Sequence, residues 1–272
     1  MSTQNAVNSL QGLRILVTRA EHQSQAQQAL IQALGGEAVC LPLIEIEPVS
    51  DSDSAYADLK YCLLDLDLYQ KVIFVSPNAA KLGVELIEDF WPQLPLGIDW
   101  VGIGRQTVKQ LEQQGICAWS SEQGYDSEAL LSSDRFQQVD GQRILILRGN
   151  GGRDLMRSTL TARGARVDYG TVYYRRLPSY SEQTLKQKLL DEPLSALLIT
   201  SGEGLLNLQT LMTTHSADRY QPLLNTRLIV PSERIAVIAR ELGYRRVRVA
   251  QGPDDDSMVR ATLPGNDLEQ LA

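Results

Sequence analysis

The stretch RILILRGNGGRDLM, residues 143–156, runs an apolar strand into a glycine-rich turn flanked by arginines and on into a helical pattern. A strand, a glycine turn and a helix N-terminus form a ready anion cradle, because the first backbone N–H groups of the helix point outward. The unit has a copy in the chain. RILVTRAEHQSQAQQALIQALGGEAVCLPLIEIEP (14–48) lines up with RILILRGNGGRDLMRSTLTARGARVDYGTVYYRRLP (143–178). VIFVSPNAAKLGVELI (72–87) lines up with LLITSGEGLLNLQTLM (197–212), and 101–130 parallels 228–259. Arg14 and Arg143 stand 129 positions apart, Ile73 and Leu198 125, and Gly115 and Gly243 128. Two similar α/β units are the simplest account of such steady offsets.

Working outward, short apolar runs at 14–19, 71–76, 99–104, 143–149, 196–201, 227–232 and 245–250 read as strands, and the first six lead into helical patterns. Helices stop at glycines in LGGEAVC, QGICAW, RGARVDY and LGYRRVRV. Glycine just past a helix end accepts positive φ without a Cβ clash. Strand and helix alternating with such punctuation predict an α/β protein with parallel sheets. The segments 43–48 and 171–178 sit at matching points of the repeat, are β-prone and end in proline. Paired as an antiparallel ladder between domains, they make the first domain discontinuous, 1–42 plus 179–272, around a second at 49–170. Two sequential domains joined by a loop remain the alternative.

The bulk composition narrows the chemistry. At 272 residues the chain suits two domains, and its formal net charge of −7 argues against a nucleic-acid surface. No apolar run is long enough to span a membrane, and the polar start MSTQNAVNSL has no signal-peptide pattern. Three widely spaced cysteines, Cys40, Cys62 and Cys117, fit reduced thiols, so a cytoplasmic location is expected. Two histidines, His22 and His215, both read as surface residues, leave little for a zinc site or a Ser/His/Asp triad. PDDDSM (253–258) reads as a solvated acidic loop more readily than as a metal site.

The strand-to-helix turns carry the candidate ligands. RGNGGRD has Gly149, Gly151 and Gly152 but Asp154 where a dinucleotide fingerprint needs its third glycine, and it lacks a Walker ending. GIGRQT (102–107) fails in the same way at Thr107. Each loop alone reads equally as a tight turn or as an anion site without nucleotide specificity. Arg19, Ser76, Ser201 and Ser232 stand in the other turns, and in parallel sheets all such turns share the carboxyl edge where ligands bind. Two such edges facing one another would make a cleft suited to a polyanion, with arginines gripping carboxylates through bidentate hydrogen bonds. Of Tyr173 and Tyr174, alternation sends one to a cleft and one into packing, or both into the aromatic packing of a ladder.

Over essentially its whole length the chain resembles the uroporphyrinogen-III synthase family. The resemblance rests on an ordered set: ILVTRAE with LGGEAVCLPLIEIEP, IFVSPNA, VGIGRQT, LRGNGGRD with RGARVDYGTVYYRR, and LITSGEG with LIVPSERIAVIARELG. It implies two flavodoxin-like domains joined by a two-stranded ladder. It implies cyclisation of linear hydroxymethylbilane with loss of water and inversion of the last pyrrole through a spiro intermediate. No cofactor and no metal are implied. Hydroxymethylbilane synthase is the expected supplier of the substrate, and a monomer is expected, with no nucleic-acid or membrane partner. Tyr173 matches the family's ladder tyrosine and is expected to assist departure of the hydroxyl as water. The hydroxyl positions carry over to Ser76, Thr107 and Ser201. The cradle of Arg148, Gly149, Asn150 and Arg153 is then expected to hold carboxylate arms of the eight-carboxylate substrate, with Arg19 and Ser232 as further ligands. Ile235 departs from the pattern, standing where some relatives have a hydroxyl. The rival readings are a regulatory module that clamps an anion without chemistry, and a nucleotide-dependent enzyme, against which both incomplete glycine fingerprints count.

Overall fold

A computed structural model describes residues 10–263 apart from Tyr125, Arg153 and Ser216, together with all of their side chains except those of His22 and Ala217. The chain opens with β1 (Arg14–Val17), α1 (Glu21–Ala33), β2 (Glu37–Cys40) and β3 (Glu45–Pro48). Next come α2 (Ser54–Leu64), β4 (Lys71–Phe74), α3 (Pro77–Glu88), β5 (Asp99–Gly102), α4 (Arg105–Gln113) and α5 (Ser127–Ser132). The middle closes with β6 (Arg143–Gly149), α6 (Leu155–Ala162) and β7 (Arg166–Arg176). The rest is α7 (Glu182–Leu189), β8 (Ala196–Leu198), α8 (Gly202–Thr214), α9 (Ala217–Tyr220), β9 (Arg227–Val230), α10 (Glu233–Glu241), β10 (Val247–Val249) and α11 (Asp255–Arg260).

These elements form two compact units. The outer unit takes the chain up to Glu45 and again from Arg176, and the inner unit takes Ile46–Arg175. The outer sheet has the order β10-β9-β8-β1-β2, and the inner sheet β3-β7-β6-β4-β5. The repeat is preserved down to the register. Arg14 faces Glu37 as Arg143 faces Arg166, Ile15 faces Ala196 as Ile144 faces Lys71, and Ala196 faces Arg227 as Lys71 faces Asp99. All of these pairings are parallel. With β6 matched to β1, the inner order β7-β6-β4-β5 is the doubly wound 2-1-3-4 pattern, whose strand order reverses between β6 and β4. In the outer unit the reversal falls between β1 and β8.

Strand alternation explains the cores. Leu145 and Leu147 enter one inner cluster with Phe74 and Leu59, while Ile144 and Ile146 enter the other with Phe136 and Leu160. Leu16 and its neighbours Ile15 and Val17 divide the outer faces in the same way. A parallel sheet covered on both faces needs such apolar runs, and those runs made the strands legible. The four helix-ending glycines, Gly35, Gly115, Gly164 and Gly243, all take the positive φ expected of them.

Two segments depart from the sequence reading. The stretch 171–178 is no separate strand, because β7 runs unbroken through 11 residues from Arg166. The PDDDSM segment is no plain loop either: Asp254 accepts a hydrogen bond from the Ser257 N–H at 2.9 Å and starts α11. An aspartate placed before a helical turn satisfies an N–H that the helix itself leaves open.

Candidate functional site

The inner unit places its expected site residues toward the carboxyl ends of its strands. Ser76 after β4 and the glycine turn after β6 stand on either side of the strand-order reversal, with Tyr173 on β7 and Thr107 in α4. Ser76 follows β4 and caps α3, its Oγ accepting the Ala79 N–H at 3.1 Å, with Pro77 opening the helix. The Ser76 Oγ also lies 3.2 Å from the Tyr173 hydroxyl, and either oxygen can donate. Tyr173 is only 4% exposed.

That placement depends on a break in the β6–β7 ladder. Arg148 faces Thr171, but Gly149 faces Tyr173, so the register slips by one residue at Val172. A bulge of this kind re-aims the side chains beyond it. Val172 and Tyr173 accordingly both enter the same core cluster, where simple alternation would send them to opposite faces of the sheet. Tyr174 is half-buried against the same core cluster.

The glycine turn is built around this tyrosine. A Cβ on Gly149 would fall 2.5 Å from Tyr173 Cε2 and 2.6 Å from Cζ, so the ring lies against bare backbone. The Asn150 N–H donates to the Tyr173 carbonyl at 2.9 Å, and Asn150 Oδ1 accepts from the Arg175 N–H at 2.7 Å. The N–H of Asn150 is therefore not free for an anion. Gly151 and Gly152 follow at φ of 70° and 100°.

Positive charge stands beside the turn. The guanidinium carbons of Arg148 and Arg157 lie 4.6 and 3.9 Å from the centroid of the Tyr169 ring. Stacking on an aromatic ring orients a guanidinium while leaving N–H groups for an acid. Arg148 Nε also donates to the Gly149 carbonyl at 3.3 Å, which folds the side chain back over the turn. The Tyr169 hydroxyl donates to Asp154 at 3.1 Å, and burial, helped by that carboxylate, raises the pKa of its phenol. Sequence reading missed Arg157, whose only signal is its place one turn into the helix after the cradle. Arg153 lies outside the described residues.

A cavity of about 460 Å³ has Ser76 in its wall, with Pro77, Ile103, Gly104, Arg105, Gln106 and Thr107. Ser76 thus belongs both to the cavity and to the pair with Tyr173. Thr107 is buried to 1% exposure and its hydroxyl donates to the Ile103 carbonyl at 2.7 Å, so it serves its own turn first.

The outer unit holds the other expected ligands at its own carboxyl edge. Ser201 caps α8 through the Gly204 N–H at 2.9 Å, and Ser232 stands at the start of α10 without a cap bond from its side chain. Arg19 is engaged: it pairs with Asp255 at 2.9 Å and donates to the Pro253 carbonyl at 3.2 Å, tying the turn after β1 to the start of α11. Nothing near Arg19 in sequence announces a partner 236 positions away. Ile235 is 3% exposed in the core, so the turn before α10 keeps Ser232 as its hydroxyl. His215 ends α8 half-buried rather than solvated.

Among the described residues no group of His, Cys, Asp and Glu side chains is placed to hold a metal ion, and no helix is long and apolar enough to cross a membrane. The acidic N-terminus of α11 uses Asp254 for its cap and Asp255 for Arg19.

The uroporphyrinogen-III synthase HemD family model matches residues 25–260. The uroporphyrinogen-III synthase of Escherichia coli K12 is 34% identical over 250 residues, covering 92% of this chain and 99% of that protein. That of Salmonella typhimurium is 34% identical over 252 residues with the same coverage. Among solved structures, a mutant uroporphyrinogen III synthase of Thermus thermophilus superposes with a TM-score of 0.57 at 18% identity, covering 95% of this chain and 100% of that one. The Helicobacter pylori enzyme gives 0.55 at 13% identity, covering 91% and 96%. At those identities the structural likeness speaks for the fold.

Proposed function

Since the chain belongs to the uroporphyrinogen-III synthase family, we propose that it converts linear hydroxymethylbilane to uroporphyrinogen III in porphyrin biosynthesis, as a carbon–oxygen lyase that closes a ring. The terminal hydroxyl leaves as water, and the last pyrrole is inverted through a spiro intermediate before the macrocycle closes. We read the paired β3 and β7 as the ladder by which the chain passes between flavodoxin-like domains.

The observation that carries the chemical reading is the Ser76–Tyr173 pair beside a glycine turn and two ring-stacked arginines. Ser76 accepts from Ala79 N–H and has its own proton to give. Donated to the Tyr173 oxygen, that proton makes the phenol a better donor toward a departing hydroxyl. Such acid help accompanies a leaving group that an electron-rich pyrrole already expels readily. The larger task is orientation: the substituted carbon of the last ring must attack before the unsubstituted one. The carboxylate arms of the substrate are the handles, and Arg148 and Arg157 are the inner unit's grips for them. The chain's own groups suffice for this account, with no metal or cofactor invoked.

The deciding experiment generates hydroxymethylbilane in situ with its synthase, adds this protein, oxidises the products and separates uroporphyrin isomers I and III. A dominant III isomer is expected. Isomer I alone from a folded sample would overturn the assignment and leave a two-unit anion binder.

A further inference from the structure

We propose that Gly149 and Asn150 act as positioning residues for Tyr173, and that the first half of the glycine turn serves the phenol instead of an anion. The inference rests on Tyr173 being the acid of the reaction proposed above.

Three observations converge. First, the register slip at Val172 sets Tyr173 opposite Gly149, and the ring occupies the space that a Cβ there would fill. Gly149 does not have a positive φ, so backbone conformation does not call for glycine. The close approach of the ring does. Secondly, Asn150 extends the β6–β7 ladder one rung past the end of β6. Its N–H takes the Tyr173 carbonyl, and where its own carbonyl would receive the next N–H its side-chain Oδ1 does so instead, at 2.7 Å from Arg175 N. Tyr173 is thus gripped on the carbonyl side by one bond and two residues later by another. Thirdly, the phenol so held meets Ser76, which α3 fixes through its cap. A hydroxyl pair 3.2 Å apart tolerates little swing of the tyrosine about its Cα–Cβ bond before the contact is lost. Anion binding in the turn then falls to Gly151, Gly152 and the stacked arginines, so the two jobs of the loop are divided between its halves.

The test is a set of Gly149→Ala, Asn150→Ala and Asn150→Asp, each in the native and the Tyr173→Phe background, with kcat and KM for uroporphyrinogen III formation and a melting curve for each. Aspartate keeps an acceptor for the Arg175 N–H and alanine does not. The expected result is a kcat lowered about tenfold by Gly149→Ala and about threefold by Asn150→Ala, the latter matching one lost hydrogen bond, with KM within about twofold. Asn150→Asp should restore kcat, whatever its added charge does to KM. On the Tyr173→Phe background neither alanine should lower kcat further, because residues acting through one group are not additive. Full additivity there, or losses seated in KM with kcat intact, would overturn the proposal while leaving Tyr173 as the acid. Were Tyr173→Phe itself without effect on kcat, the reading of Tyr173 would fall, and this one with it. If Gly149→Ala does not fold, the two Asn150 variants carry the same decision.

Discussion

The two carboxyl edges of this protein are built on one plan and differ in what they can do. Arg19, just past β1, and Arg148, near the end of β6, occupy matching places in the repeat, as do Ser201 and Ser76 after β8 and β4. Both serines cap the following helix through the N–H three residues on. Beyond that the edges part. Ser76 has a phenol beside it, whereas the position matching Tyr173 is Ile44, which has no hydroxyl. Gly149 leaves room for the ring, whereas Ala20 stands in its place in the outer unit. Arg148 stacks on Tyr169 and folds over the glycine turn, whereas Arg19 is locked to Asp255. A serine cap and an arginine at a strand end are therefore features the fold repeats, and on their own they are no sign of catalysis. On the function proposed above, chemistry enters where the bulge in β7 brings a tyrosine to the cap.

The sharpest way to break this contrast is to remove the phenol. Tyr173→Phe is expected to slow formation of uroporphyrinogen III by about 100-fold, the lower end of what a positioned acid supplies, while leaving measurable turnover. Complete loss with an intact fold would make Tyr173 an obligatory acid and orientation a minor factor.

The arginines come next. Arg148→Ala should raise KM about tenfold, as loss of a charged hydrogen bond to a carboxylate implies, with little change in melting. Arg19→Ala should behave in the opposite sense, lowering stability by about 1 kcal/mol because it breaks a partly exposed ion pair. Equal KM effects at both positions would make the two edges alike after all.

The serines make a matched pair. Ser76→Ala and Ser201→Ala each remove a helix cap worth about 1 kcal/mol and should lower the melting temperature similarly. Only Ser76→Ala should also lower kcat, by a few-fold, since only it touches the phenol. A kcat loss of the same size from Ser201→Ala would sink the distinction.

The smallest effect lies in the outer unit at high pH. Burial, with Cys40, Glu45 and Glu21 nearby, pushes the Tyr180 phenol up to about 12, and its hydroxyl donates to the Pro42 carbonyl at 2.7 Å. A phenol with a raised folded pKa lends stability in full below the unfolded value of about 10, and loses it as pH climbs toward 12. Tyr180→Phe should therefore lessen the fall in melting temperature between neutral pH and pH values above about 10. An unchanged fall would assign it to other groups, among them Tyr69, whose phenol is raised by burial and by its bonds to Cys62 and Asp168.

Much of this was written in the sequence because it is local. Apolar runs such as 143–149 gave strands, glycines after helices gave their ends, and the 129-, 125- and 128-residue offsets gave a repeat that the strand registers reproduce. Family membership was legible for the same reason, since ordered turns survive as short words in the chain. The nature of each side chain at the carboxyl edge could also be read, but not whom it would meet. Arg19 finds Asp255 across 236 positions, and Ser76 finds Tyr173 across 97. Nothing in VYY says that a one-residue slip will turn two neighbours into the same core cluster, because that slip is settled by the strand alongside. Covalent spacing fixes period and punctuation. The partner of a polar atom is chosen only when the sheet assembles, because a bond of about 3 Å depends on the register of strands that the sequence leaves far apart.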